Sequence, residues 1–227
     1  MKRIIKISLI LLLVGMAVIA AVPFFKEKRA ERKYENDFKK IQESVTEKKS
    51  DVNGLVKKNK DCIGYVEIQG TTISYPVMQT KDNPDFYLNH DFNRNYSFYG
   101  TPYLSAYCDV EKSDNLIIYG HNINGGKMFG ALEQYKDKEF FYKHRKIYFT
   151  TDKKREYEVF AVMSVNIHEF EYWKFVMARD EKEYDEFVDK VEEHSLWRQG
   201  NKPKYGEQML MLSTCDNGKG DDWRIVL

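Results

Sequence analysis

From Cys62 onward apolar and polar residues alternate in short runs. CIGYVEIQGTTISYPVMQ, residues 62–79, alternates on both sides of Gly70, the pattern of a hairpin turning at the glycine. YGTPYLSAYCDV (99–110) and NLIIYGHN (115–122) read as further strands. KIYFTTDKKREYEVFAVMSVNI (146–167) reads as two strands joined by a charged turn. QMLMLSTC (208–215) and WRIVL (223–227) end the series. Helical spacing marks two stretches. KMFGALEQYKDKEFFYKH (127–144) predicts a short helix around 128–135. In RDEKEYDEFVDKVEEHSLW (179–197), Tyr184, Phe187, Val188 and Val191 form one apolar stripe, which predicts a helix. About eight strands with turn signals between them predict a mainly β domain whose sheet closes, or nearly closes, into a barrel.

The N-terminal pattern is different. Residues 7–25 are apolar apart from Ser8 and the small Gly15, and Lys2, Arg3 and Lys6 precede them. Such a run is about long enough to cross a bilayer. It predicts a transmembrane signal anchor over 7–25 behind a short tail, 1–6. The alternative is a cleaved signal peptide, with Ala20 and Ala21 at the cleavage site. Charge does not orient the span, because Lys26, Lys28, Arg29, Arg32 and Lys33 follow it. Residues 26–60 are highly charged. Tyr34, Phe38, Ile41 and Val45 share one helical face there, predicting a juxtamembrane helical segment with a break near Asn53-Gly54.

Composition adds limits. The chain has 227 residues, room for one catalytic-size domain over 61–227 besides these segments. Its 36 Lys+Arg against 35 Asp+Glu give a net charge of +1, which offers no electrostatic argument for nucleic-acid binding. The 16 tyrosines and 14 phenylalanines suit a β-rich core. Three cysteines form no CxxC pair and match no zinc spacing, and no phosphate-binding glycine loop appears. No metal or cofactor is predicted. Cys62 and Cys108 lie in strand-like contexts that suit small buried side chains, and a disulfide between them stays open.

Cys215 differs. It ends the apolar run MLMLST and is followed by a loop of Asp, Asn and Gly residues. A thiol nucleophile needs a base or a cationic neighbour. Of five histidines, His121 ends the run LIIYGH directly after Gly120, at a strand end, whereas His90, His144, His168 and His194 lack such a setting. Arg224 enters the last apolar run, and a guanidinium beside a thiol can stabilise a developing oxyanion. Each residue has an ordinary alternative as a packed thiol, a loop histidine or an outward arginine. The combination at strand ends is what points to chemistry.

These residues resemble the sortase family. LSTC (212–215) resembles the family's TLxTC motif, with Met211 where threonine usually stands. Arg224 falls nine residues after the cysteine, and GHN (120–122) resembles the histidine motif. Similarity continues through residues 63–79, YLNHDF (87–92) and YGTPYL (99–104), and covers roughly 55–227. The helix at 179–197 and the N-terminal helices resemble class B sortases. The resemblance implies a sortase-type closed eight-stranded β-barrel with N-terminal helices and a helical insertion before the penultimate strand.

It further implies a membrane-anchored cysteine transpeptidase of a Gram-positive cell surface, single-pass, with its domain outside. By resemblance, Cys215 is the nucleophile, His121 the general acid/base and Arg224 the carbonyl and oxyanion stabiliser. The substrates implied are surface proteins with a C-terminal sorting motif cleaved after threonine, and the acceptor is an amine of peptidoglycan precursor. Ser213, Leu88, Tyr172 and Trp173 are the candidate substrate contacts. The other enzyme readings are a mostly hydrolytic sortase or a pilin polymerase. A catalytically silent, membrane-anchored binding module is the alternative class; the complete Cys215–His121–Arg224 set argues against it. One departure is the strand after Arg224, shorter than is usual in the family. It implies either a truncated chain or a weak closing edge, and leaves the aim of Arg224 open.

Overall fold

The computed structural model describes residues 52–227 continuously, and 15–40 apart from 17, 27, 30, 31, 34, 37 and 38. The chain divides into two units, Met1–Ser44 and Val45–Leu227. The described residues of the first are helical. Among the described residues no helix is long and apolar enough to cross a membrane. Residues 7–14 of the expected anchor, and the stripe Tyr34, Phe38, Ile41 and Val45, lie outside the described residues.

The second unit opens with α1, Val52–Lys58, which buries Val52 and Leu55 and runs through Asn53-Gly54, where a break was expected. Twelve strands follow among the described residues: β1 Cys62–Ile68, β2 Ser74–Met78, β3 Tyr103–Leu104, β4 Asn115–Tyr119, β5 Asn122–Ile123, β6 Lys127–Met128, β7 Lys146–Thr150, β8 Lys154–Glu158, β9 Ala161–Asn166, β10 Ser195–Arg198, β11 Met209–Cys215 and β12 Trp223–Val226. Between them lie a 3-10 segment, Phe129–Lys136, and two helices, α2 Lys138–Lys143 and α3 Glu181–Glu193. The hairpin expected over 62–79 is β1 and β2, antiparallel, with Gly70 at a φ of +81° in the turn. Only glycine takes that conformation without strain.

Ten strands form one sheet in the order β10-β9-β12-β11-β4-β3-β2-β1-β7-β8, and β5–β6 form a separate ribbon. The expected closed eight-stranded barrel is therefore corrected to an open, ten-stranded sheet with β10 and β8 as its edges. The edges explain why it stays open. Side chains of β8, KREYE, alternate between exposed and half-buried, as do those of β10, SLWR. Charges along an exposed edge oppose further pairing. The extra strands come from two places. Residues 146–167 fold as three strands, because the chain breaks between Glu158 and Ala161. The predicted helix 179–197 stops at Glu193, and its last residues extend into β10, so the insertion carries a helix and a strand.

α3 follows the sequence reading. Asp180 caps it by accepting the Glu183 N–H at 2.9 Å, and Tyr184, Phe187, Val188 and Val191 are buried. Met211 is buried in β11, where its sulfur accepts from Asn115 Nδ2 at 3.5 Å, a setting in which methionine serves well. The last strand is not an edge. β12 pairs with β11 on one side and β9 on the other, and Leu227 and Leu212 exchange two backbone hydrogen bonds of 3.1 Å each. Four residues suffice because both flanks are paired.

Candidate active site

Strand direction assembles the site. β4 and β11 are parallel, with Ser213 opposite Tyr119, so their C-terminal ends emerge on one rim. At that rim the Gly120 N–H donates to the Ser213 carbonyl at 3.1 Å. A Cβ on Gly120 would sit 2.7 Å from the Phe129 ring, so glycine alone lets the chain pass here. His121 follows at once. β12 returns antiparallel and sets Arg224 opposite Cys215 as Cα partners. Three side chains far apart in sequence thus reach one opening.

That opening is a cavity of about 570 Å³. Cys215, His121 and Arg224 line it together with Ser213, Leu88, Tyr172 and Trp173, so all seven residues expected at a site meet in one place. Cys215, His121 and Arg224 are half-buried. The His121 Nε2 lies 2.8 Å from the Leu88 carbonyl oxygen. A carbonyl only accepts, so Nε2 carries the proton and Nδ1 holds the lone pair of the neutral ring. Phe98 stacks beside the imidazole, 6.4 Å between centroids at 8°. The Arg224 Nη1 donates to the carbonyls of Asp221 (2.5 Å) and Trp223 (2.9 Å), which fixes the guanidinium from behind.

Tyr172 is buried, and its hydroxyl lies 2.7 Å from Ser213 Oγ. Burial pushes this phenol up to about 12; the Ser213 hydrogen bond and the Arg224 charge act against the rise, and Cys215 adds to it. The tyrosine therefore stays protonated and feels both the thiol and the guanidinium. Trp173, half-buried, offers its ring to the cavity. Across from these, the Tyr103 hydroxyl donates to Asp85 Oδ1 at 3.0 Å. The exposed Tyr107 also lines the opening.

Two residues escaped the sequence reading. Asn122 donates to the Cys215 carbonyl at 2.7 Å, continuing the β4–β11 contact with a side chain where the backbone diverges. Asp216 is fully buried. Burial alone would raise its carboxyl, but hydrogen bonds from Lys136 and Ser164 outweigh it and hold the group below the usual carboxylate range. Their signal was adjacency to His121 and Cys215, masked because Asn and Asp are common loop residues.

Cys62 and Cys108 are free and buried, so they form no disulfide. Burial pushes the Cys62 thiol up to about 12 and raises Cys108 as well. The other histidines are engaged elsewhere: His90 with the Phe86 carbonyl, His144 with Gln69, His168 near Asp222 and His194 with Lys190. Among the described residues no His, Cys, Asp or Glu cluster is placed to hold a metal ion. A thiol, an imidazole and a guanidinium lining one cavity form a set suited to acyl transfer.

The chain is similar to known proteins in both sequence and fold. A model of the sortase domain matches residues 66–227. Sortase B of Listeria monocytogenes is 32% identical over 175 residues, spanning 76% of this chain and 70% of the relative. Sortase B of Staphylococcus aureus is 28% identical across the whole of this chain and 96% of its own length. A solved Staphylococcus aureus sortase B–substrate complex superposes with a TM-score of 0.77 at 26% identity, covering 89% of this chain and 95% of that one.

Proposed function

The chain belongs to the sortase family and is a cysteine transpeptidase, and from that premise we propose that Cys215, His121 and Arg224 carry its reaction. The observation that carries the assignment is the register that sets Arg224 opposite Cys215, on the rim where β4 delivers His121. The Cys215 thiolate attacks the carbonyl carbon of a threonine in the sorting motif. Arg224 stabilises the oxyanion of the tetrahedral intermediate. His121, as imidazolium, gives its proton to the departing amine as the C–N bond breaks. A thioester remains on Cys215. An acceptor amine then attacks that thioester, His121 takes its proton, and the thiolate leaves.

A thioester keeps the acyl group activated for an amine. A largely apolar cavity wall helps amine to compete with water. Tyr172 and Ser213 form the floor on which the motif lies, and Leu88 and Trp173 its walls. In this reading the substrates are surface proteins with a C-terminal sorting motif, and the acceptor is an amine of peptidoglycan precursor. The apolar run 7–25 supports a membrane anchor with the catalytic unit on the extracellular face. Family membership with all three side chains in one cavity sets aside the silent binding module.

The assignment is tested by trapping the acyl-enzyme. Incubation with a sorting peptide should add the mass of its N-terminal fragment to the peptide containing Cys215, and Cys215→Ala should remove it. A product formed equally by Cys215→Ala would defeat the assignment.

A further inference from the structure

Each reacting residue has a chain neighbour in one polar network behind the cavity. Asn122, next to His121, donates to the Cys215 carbonyl at 2.7 Å and to Glu133 Oε1 at 2.8 Å. Asp216, next to Cys215, accepts from Lys136 Nζ at 2.6 Å, Ser164 Oγ at 2.6 Å and the Gly218 N–H at 3.2 Å. Its own N–H donates to the carbonyl of Trp223 at 2.9 Å, beside Arg224. Glu133 and Lys136 share one 3-10 segment and pair at 2.7 Å. Lys136 is thus the cation on which both arms converge.

The reacting residues need such a support. β5, which contains Asn122, belongs to a two-stranded ribbon outside the main sheet. The loop 217–222 is exposed throughout and contains Gly220 at a φ of +117°. Cys215 is the last paired residue of β11, opposite Arg224, and His121 lies between β4 and the ribbon, outside both strands. Nor is this an ordinary surface ion pair, because the Asp216 side chain has no solvent exposure at all.

We propose that Lys136 is a positioning residue for acyl transfer: through Asp216 on one side and Glu133–Asn122 on the other, it fixes the separation of the Cys215 thiol and the His121 imidazole. The inference rests on the assignment of those two groups as the reacting pair. A misplacement of about 1 Å in such a pair costs about 10²-fold in rate.

The test compares Lys136→Met, Lys136→Arg and, as a control destabilised elsewhere, Val188→Ala in α3. The first readout needs no substrate: the rate of Cys215 alkylation by iodoacetamide against pH, which reports the thiol–imidazole pair. The second is kcat and KM for a sorting peptide, per titrated thiol. Lys136→Met should shift the alkylation profile and lower kcat about 10²-fold with KM within about twofold. Lys136→Arg keeps the charge and should keep the wild-type profile, as should Val188→Ala despite its lower melting temperature. A folded Lys136→Met with wild-type profile and kcat overturns the proposal. Should Lys136→Met fail to fold, Glu133→Gln should shift the profile in the same direction, and an unchanged profile there overturns it equally. Absence of peptide cleavage by the wild type would count against the transpeptidase reading alone, since the alkylation profile still decides the role of Lys136.

Discussion

Cys215 and Arg224 are directly opposed Cα partners in antiparallel β11 and β12, although nine positions separate them in sequence. The loop between them leaves the sheet and returns, and pairing on both flanks of β12 fixes where the guanidinium arrives. The proposed oxyanion role of Arg224 rests on that register. Arg224→Ala should lower kcat by about 10²–10³-fold with the fold intact. Arg224→Lys should recover little, because a point charge does not reproduce the planar fork held by the Asp221 and Trp223 carbonyls. Steady-state kinetics of the two variants, with circular dichroism as a fold control, checks this. Wild-type turnover in Arg224→Lys would contradict it.

The thiols should separate by reactivity. Burial raises both Cys62, to about 12, and Cys108, which disfavours the reactive thiolate at either. Native protein should take up one iodoacetamide, at Cys215, and three after denaturation. Peptide mapping reads the count. Early labelling of Cys62 or Cys108 would mean that the core opens readily.

The buried Tyr172–Ser213 hydrogen bond should be measurable as stability. Tyr172→Phe leaves Ser213 Oγ without that partner and should cost about 1–3 kcal/mol. Urea unfolding at pH 7 measures it. If these residues also form the floor of the substrate groove, KM for the sorting peptide should rise in the same variant.

Asp216 should make the domain acid-sensitive. Its carboxyl is held below the ordinary value of about 4. The stabilisation is therefore fully present above that ordinary value and is lost as pH falls through the lower, folded-state value. Unfolding free energies across this range should drop more steeply for wild type than for Asp216→Asn. Parallel curves would show that Asp216 contributes nothing to acid stability.

Legibility in the sequence followed physical cause. The hairpin over 62–79 and the stripe Tyr184, Phe187, Val188 and Val191 were readable because burial on one face imposes a period. The cavity residues were readable because Cys215 and His121 end apolar runs and match known motifs. The strand count was not. Ser195 and Trp197 continue the run behind α3, yet they pair with β9 once the helix ends. β5 and β6 contain only two residues each, too few for alternation to show. Nothing in the sequence set Lys136 and Glu133 apart. Only the fold brings the buried Asp216 to Lys136 across 80 positions of sequence.

The most direct test of the transpeptidase account incubates the purified protein with peptides carrying Asn-Pro, Ser-Pro or Leu-Pro sorting motifs, with and without an added amine, and reads products by mass spectrometry. The account predicts cleavage after threonine in one motif class, amine-dependent ligation of the N-terminal fragment, and loss of both in Cys215→Ala. Absence of cleavage in every peptide, with Cys215 no more reactive to alkylation than Cys62, would contradict it.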